Sequence, residues 1–224
     1  GTPHVSSVTL SAGVNDLAQD FGYRGAGAIG DTVWFDRNGD GVLDGDEYGL
    51  GGVDVTVTWG GPDGTLGNGD DEAFVTTTDI AGSYLVSNLP PGEYHVEIDA
   101  VTLPPGMTAT YDEDGTADGE TSFTLALDEQ HFTADFGYRG TGEIGDLVWL
   151  DVDNNGAEDV GEPGIPAQTV VLAWAGPDAT LGTADDQDFS TTTDANGDYL
   201  FTNLPPGEYE VEVAGPIATA ATNT

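Results

Sequence analysis

The sequence contains no cysteine, a single methionine and only three basic residues, Arg24, Arg37 and Arg139, so lysine is absent altogether. Without cysteine no disulfide closes a loop, and stability has to come from packing and from bound cations. Against the three arginines stand 41 aspartates and glutamates, giving a formal charge of −38. Such a surface repels phosphate backbones and anionic headgroups, because association with either depends on lysine or arginine replacing condensed counterions. Nucleic acid is not an expected partner. Nor is membrane insertion, since no apolar run reaches the roughly 18 to 20 residues that cross a bilayer. The opening Gly1-Thr2-Pro3-His4 carries neither an initiator methionine nor a signal peptide, which reads as a processed or excised segment.

What is present argues for a folded chain. Apolar residues make up 38% of it and aromatic residues recur at spaced positions, unlike a disordered acidic tract. Phe21-Gly22-Tyr23-Arg24-Gly25 returns as Phe136-Gly137-Tyr138-Arg139-Gly140, an offset of 115 residues that continues without a gap. Self-similarity at a fixed period marks an array of like modules. Residues 26–140 read as one complete copy and 141–224 as a second without counterparts of the last strands. Residues 1–25 align with those closing strands, as the tail of a preceding repeat or as a donor strand. Alternating or β-branched runs at 32–35, 53–59, 74–78, 84–86, 94–98, 108–111, 121–127 and 132–136 predict an all-β fold. Glycine, proline, asparagine and aspartate separate them, and no 3.6-residue apolar period lasts beyond two turns.

The acid is concentrated in patterned loops. Asp36, Asn38, Asp40, Val42, Asp44 and Glu47 fill positions 1, 3, 5, 7, 9 and 12 of a twelve-residue calcium loop, with Gly41 at position 6. Position 7 contributes a backbone carbonyl, so its side chain is free to vary. Asp151, Asp153, Asn155, Ala157, Asp159 and Glu162 fill the same positions one period later, although most intervening residues differ. A lone match to so short a pattern is often a solvated acidic turn; two matches in phase argue for six to eight hard oxygens arranged around Ca²⁺.

A second acidic loop carries Asp63, Asp70 and Asp71, and its repeat carries Asp178, Asp185 and Asp186. Adjacent carboxylates repel unless something neutralises them, and a shared Ca²⁺ would do so; the alternative is an Asx-rich hairpin turn. A third acidic loop, around Asp112 and Asp114, is a metal site or a solvated loop.

The remaining polar residues suggest structure more than chemistry. Asp79 and Asp194, each after three threonines, read as Asx-bonded hairpin-turn residues. Trp34, Trp149, Trp59 and Trp174 sit in apolar strands and read as core, not as a sugar-stacking platform. Arg24 and Arg139 fall at equivalent junctions and are expected to pair with carboxylates across a module boundary. His4, His95 and His131 occupy non-equivalent positions and no serine lies in a nucleophile-elbow context, so no enzyme activity is expected.

Three segments together carry a family likeness. They are Ile29-Gly30-Asp31-Thr32-Val33-Trp34-Phe35-Asp36 leading into its loop, Thr76-Thr77-Thr78-Asp79 with Tyr84, and Asn88-Leu89-Pro90-Pro91-Gly92-Glu93-Tyr94. The chain resembles the B-type domains of serine-aspartate repeat surface proteins (SdrD B-like), relatives of the collagen-adhesin B-type sandwiches. The resemblance implies tandem Ig-like or prealbumin-like Greek-key β-sandwiches with EF-hand-type loops that bind several Ca²⁺ per repeat. The family's loop ligands carry over to Asp36, Asn38, Asp40, Asp44 and Glu47, and to Asp151, Asp153, Asn155, Asp159 and Glu162. It further implies a structural segment of an extracellular bacterial or archaeal surface stalk or filament, whose partners are neighbouring copies joined head to tail by tandem linkage or strand donation. An unidentified surface ligand would be displayed by other modules. The other reading is a carbohydrate-binding or adhesive module of a larger secreted protein. The absent lysine removes the donor for the Lys–Asn isopeptide that cross-links some bacterial surface sandwiches.

Overall fold

The computed structural model describes residues 4–45 and 47–215; the last part of the expected second sandwich, 216–224, lies outside the described residues. Strands β1 (Gly27–Phe35), β2 (Tyr48–Gly49), β3 (Asp54–Trp59), β4 (Glu72–Thr77), β5 (Ser83–Leu89) and β6 (Gly92–Ile98) come first. They are followed by β7 (Thr108–Tyr111), β8 (Glu120–Leu125), β9 (Gln130–His131) and β10 (Phe136–Arg139). One sheet runs β2-β1-β10-β7, with β5 and β9 also on β1, and the other runs β4-β3-β6-β8. Their inner faces pack Ile29, Val33, Val55, Val57, Tyr94 and Phe136, all fully buried. The alternation in β3 explains the choice of face: Val55 and Val57 point inward while Thr56 and Thr58 do not. Each such aliphatic side chain contributes about 1.5–3 kcal/mol by leaving water.

The same layout returns with β11 (Gly142–Leu147), β12 (Thr169–Trp174), β13 (Gln187–Thr192), β14 (Asp198–Leu204) and β15 (Tyr209–Val213). β11 pairs with β14, and β13-β12-β15 form the facing sheet. The all-β expectation therefore holds, and the layers are β-sandwich layers. Residues 4–26 form no strand, and Val5, Leu10 and Leu17 are exposed. Their counterpart β8 owes its conformation to the ladder with β6, and 4–26 meet no such edge here.

One strand boundary differs from the sequence reading. The run 132–136 is not one strand; β9 pairs in parallel with Ala28 and Ile29, and β10 with Val33 to Phe35. Between the two ladders the Thr32 backbone N–H donates to the Asp135 carboxylate at 2.9 Å, and the Tyr84 hydroxyl donates to the Ala134 carbonyl at 2.6 Å. The Asp135 side chain thus takes over a hydrogen bond of β1 where its partner strand changes, and Tyr84 of β5 holds the connecting segment.

The repeated motifs have local explanations. Thr78 is buried; its Oγ1 accepts from Val53 N–H at 2.9 Å and donates to the Leu50 carbonyl at 2.6 Å. Thr193 does the same between Gln168 and Ile165. The Asp79 carboxylate accepts from Ala81 and Ser83 N–H, and Asp194 from Asn196 and Asp198 N–H, which is the expected Asx bonding. The Tyr94 hydroxyl closes its Pro-Pro-Gly turn on the Pro90 carbonyl at 2.7 Å, and Tyr209 closes the equivalent turn on Pro205. Trp34 and Trp174 are buried, whereas Trp59 and Trp149 are half-buried.

The two sandwiches meet through residues that bracket the 36–47 loop. The Phe35 ring lies 5.9 Å from Trp174 and 6.0 Å from Phe189, and Tyr48 lies 6.3 Å from Phe189. The Arg37 guanidinium sits 5.6 Å over the Phe189 ring, and the Asn203 amide donates to the Arg37 carbonyl at 2.8 Å. A cation over an aromatic face contributes about 0.5–2 kcal/mol and an aromatic pair about 0.5–1.5 kcal/mol, so the junction is held by several modest contacts. Among the described residues, the expected cross-boundary ion pairs of Arg24 and Arg139 are not formed. Arg24 is exposed, and the Arg139 guanidinium lies over Gly39 of the first sandwich, where glycine leaves room for it.

Two outcomes follow from these contacts. Thr78→Val keeps the shape but strands a buried N–H and carbonyl, so urea unfolding should show a loss of about 1–3 kcal/mol. Burial raises the Asp135 carboxyl to about 6 against an opposing bond from Thr32 N–H. The folded state therefore holds this proton where the unfolded state releases it, and stability declines as pH rises from about 4 to about 6. Asp135→Asn keeps the acceptor for Thr32 and should flatten that part of the stability profile; an unchanged slope would refute the assignment.

Candidate metal loops

The 36–47 loop leaves β1 directly, so its first residue is anchored by the strand. Asp36 is fully buried, and its carboxylate accepts from Gly39 N–H at 2.6 Å, Asp40 N–H at 3.2 Å and Gly41 N–H at 2.9 Å. Gly41 adopts φ +75°, the left-handed backbone that the sharp turn at position 6 needs. Asn38 Oδ1 accepts from Asp40 N–H and Asp40 Oδ1 from Val42 N–H, so each ligand position turns the chain toward the next. Glu47 closes the ring: its carboxylate accepts from Arg37 N–H at 2.9 Å and Asp44 N–H at 3.2 Å. Burial raises its pKa, and the nearby Asp36 charge adds to the effect while three backbone N–H groups oppose it.

The second loop repeats this construction with different intervening residues. Asp151 accepts from Asn155 N–H at 3.1 Å and Gly156 N–H at 2.9 Å, the latter bond being the main reason its pKa is lowered. Gly156 has φ +78°, and Ala157 N–H donates to Asn155 Oδ1 at 2.6 Å. Glu162 accepts from Val152 N–H at 2.7 Å and Asp159 N–H at 3.1 Å. Oxygens of Asp151, Asp153 and Glu162 all lie within 4.8 Å of one another, the one such carboxylate trio among the described residues. The first loop has Asn38 in place of the middle carboxylate.

Both loops place an amide NH₂ between their outer carboxylates. Asn38 donates to Asp40 and Asp44, each at 3.1 Å, and Asn155 donates to Asp153 at 3.1 Å and Asp159 at 2.6 Å. This is the arrangement expected where carboxylate oxygens converge on a point that favours positive charge; rotating the amide presents an oxygen to the same point.

The other acidic loops differ from each other. Asp71 Oδ2 accepts from Gly67 and Asn68 N–H, while its buried Oδ1 has no hydrogen-bond partner. Asp63 accepts from Thr65 N–H and Asp70 from Asp63 N–H. In the repeat, Asp178 accepts from Thr180 N–H, Asp185 from Asp178 N–H, and Asp186 from Gly182 N–H. The Thr183 hydroxyl on Asp185 is the main cause of that carboxyl's lowered pKa. Asp112 is buried: Oδ2 accepts from Asp118 N–H at 2.9 Å and Gly119 N–H at 3.2 Å, and Oδ1 has no partner. Burial raises its pKa, and Asp114, which caps Thr116 N–H, raises it further. A buried carboxylate oxygen without a donor is costly. Those of Asp71 and Asp112 fit a cation, in loops that the sequence singled out.

The place of each loop in the fold was harder to read than its local turn. Asp178 and Asp185 line a cleft of about 440 Å³ with Gly51, Ile80 and Trp174, so this loop borders the junction between the sandwiches. Phe35 and Asn203 belong to the repeated family segments and Tyr48 to no motif, but nothing in those patterns marks the three as the residues that build that junction.

Comparison with known proteins agrees with this architecture. The family model described as SdrD B-like domain matches residues 27–138 and 142–224. Serine-aspartate repeat-containing protein F of Staphylococcus epidermidis is 37% identical over 84% of this chain and 10% of its own length. Bone sialoprotein-binding protein of Staphylococcus aureus is 34% identical over 98% of this chain and 18% of its own length. The chain thus spans less than a fifth of these relatives. Among solved structures, GBS52, the minor pilin of Streptococcus agalactiae, covers 86% of this chain and 85% of its own at 14% identity and TM-score 0.34. On the family match across both sandwiches, the chain belongs to the SdrD B-like domain family.

Proposed function

We propose that the chain is a non-enzymatic structural segment of an extracellular surface stalk, made of tandem sandwiches that calcium stiffens. It works outside the cell, at the cell surface. The observation that carries the calcium reading is the pair of in-phase loops, each closed by its position-12 glutamate onto the N–H beside position 1. Asp36, Asn38, Asp40, Asp44, Glu47 and the Val42 carbonyl hold the first ion. Asp151, Asp153, Asn155, Asp159, Glu162 and the Ala157 carbonyl hold the second. Asp63, Asp70 and Asp71, their repeat Asp178, Asp185 and Asp186, and Asp112 with Asp114 hold the others. Bound there, Ca²⁺ supplies charge neutralisation and fixes loop geometry, with no chemistry on a substrate.

The first loop also explains how local binding becomes stiffness along the stalk. Arg37 and Asn38 belong both to the metal loop and to the surface facing the second sandwich, where Phe189 and Asn203 receive them. Fixing the loop fixes the junction. A stalk also accounts for the tryptophans better than a sugar-binding face does, because none is exposed: two are buried and two half-buried. Residues 1–25 align with the closing strands of a like module and would continue the array to a neighbour either within one polypeptide or by strand donation. Hot denaturant separates these forms: donated subunits fall to the 23.1 kDa chain, whereas a tandem polypeptide stays long.

Calorimetry tests the metals directly. Calcium should bind with measurable heat, and at about 100 times Kd each site should add ~2.7 kcal/mol of stability. Asp151→Ala should abolish one binding event. Asp36→Ala should abolish another and also destabilise the chelated protein, because its three N–H donors lose their acceptor. No heat, with a melting temperature indifferent to chelator, would overturn the calcium reading.

A further inference from the structure

Four of the chain's asparagines stand directly before glycine: Asn38, Asn68, Asn155 and Asn196. Such a pair is open to loss of the side-chain amide, because the glycine nitrogen has no Cβ beside it to hinder its approach to the asparagine Cγ. All four asparagines are exposed, Asn38 among them although its loop faces the second sandwich, so water reaches every one. Exposure therefore does not distinguish them, but their hydrogen bonds do.

In both twelve-residue loops the atoms that such a reaction changes are already held. The attacking nitrogen is presented to a carboxylate: Gly39 N–H donates to Asp36 Oδ1 at 2.6 Å, and Gly156 N–H to Asp151 Oδ2 at 2.9 Å. The oxygen that turns anionic receives an N–H: Asn38 Oδ1 from Asp40 at 2.8 Å, and Asn155 Oδ1 from Ala157 at 2.6 Å. The departing nitrogen lies against two carboxylates, Asp40 and Asp44 for Asn38, and Asp153 and Asp159 for Asn155. The asparagine holds position 3 in one loop and position 5 in the other, yet its surroundings are the same. The other two pairs lack them. Asn68 Oδ1 accepts from Asp70 N–H at 3.0 Å, but no carboxylate takes the Gly69 N–H among the described residues. Gly197 N–H goes to the Asp194 main-chain carbonyl at 3.2 Å, and Gly197 is buried.

We propose that Asn38 and Asn155 are sites of self-modification, converted to aspartyl and isoaspartyl residues while their loops hold no calcium. The glycine nitrogen bonds to Cγ while its proton passes to the position-1 carboxylate, which acts as general base. The negative charge on Oδ1 is met by the waiting N–H, as in an oxyanion hole. The Cγ–Nδ2 bond then breaks, the same proton leaves with the amide nitrogen as ammonia, and a succinimide remains. Water opens that ring: addition at Cγ yields aspartate and addition at the main-chain carbonyl yields isoaspartate, so the net change is gain of water and loss of ammonia. Aspartate adds a carboxylate to the loop, and isoaspartate lengthens its main chain by one carbon. Calcium opposes the first step, since the carboxylate that would take the proton is then a ligand of the ion. That protection, and only that, rests on the calcium reading above.

Peptide mass mapping of the full 224-residue chain, aged in chelator, in calcium and in denaturant before digestion, tests this. Each conversion is read as the mass gain of an amide replaced by an acid, and dividing the native rate by the denatured rate at each site removes the effect of local sequence. In chelator this ratio should be higher by roughly tenfold or more at Asn38 and Asn155 than at Asn68 and Asn196. Asp36→Asn keeps an acceptor for Gly39 N–H but supplies no base, so it should lower the ratio at Asn38 to that of Asn196 and leave Asn155 unchanged. Asp151→Asn should do the reverse, and in each variant the unaffected loop reports that the chain is folded. Equal ratios at all four sites, or lower ones at Asn38 and Asn155, would overturn the proposal, as would either variant leaving its own loop's rate unchanged. Calcium that binds with heat should slow both loops, and binding without protection would also overturn it. Selective conversion in a chain that gives no calcium heat would remove the calcium reading and leave the modification; calcium heat without selectivity would do the opposite.

Discussion

The structure is governed by the need to hold carboxylates close together with almost no basic side chains to neutralise them. Two carboxylates 4 Å apart repel by about 1 kcal/mol in water and about 4 kcal/mol at the effective dielectric of a protein surface. A charge-assisted bond from an N–H returns about 1.5–3 kcal/mol. The loops therefore turn their backbone inward: Asp36 alone takes three N–H groups, and Asp112 and Asp71 take two each on one oxygen. Those donors offset much of the repulsion and leave the buried Oδ1 of Asp71 and of Asp112 uncompensated. On the function proposed above, a divalent cation would complete the balance that lysine otherwise provides.

The same economy places the loops at the ends of strands. β1 spans both halves of its sheet, with β5 and β9 on one part and β2 and β10 on the other, and its last residues run straight into the first metal loop. Phe35 is buried at that exit, so the loop starts from a fixed point and its outward face can press on a neighbouring sandwich. Metal loop and junction thus share Arg37 and Asn38 because both features need an anchored, solvent-facing turn.

Much of this was legible in the residues. The twelve-residue loop spacing, the Thr-Thr-Thr-Asp turn and the offset of 115 residues predicted tight acidic loops, hairpins and repetition, because each depends on local chemistry at fixed spacing. The division of 132–136 into β9 and β10 was not legible, since it turns on Asp135 bonding Thr32 across 103 residues. Arg139 misled for a similar reason. Its place next to a linker suggested a bond across the boundary, whereas the space over Gly39, in a loop distant in sequence, decides where it goes.

The differences between the two copies carry the remaining argument. The carboxylate or amide side chains at loop positions 1, 3, 5, 9 and 12 and the position-6 glycine (Gly41, Gly156) recur, while Arg37 becomes Val152, Tyr48 becomes Pro163 and Phe35 becomes Leu150. Positions constrained by metal-loop geometry are kept and positions constrained by the neighbouring surface drift, as expected if each junction is built from many small apolar contacts around one backbone-directed hydrogen bond. Such a junction tolerates substitution because its specific bond, from an asparagine to a main-chain carbonyl, does not read the side chain it binds. A stalk whose modules diverge can then retain its connection as long as the loop that presents the carbonyl keeps its shape, and that shape is set by the carboxylates.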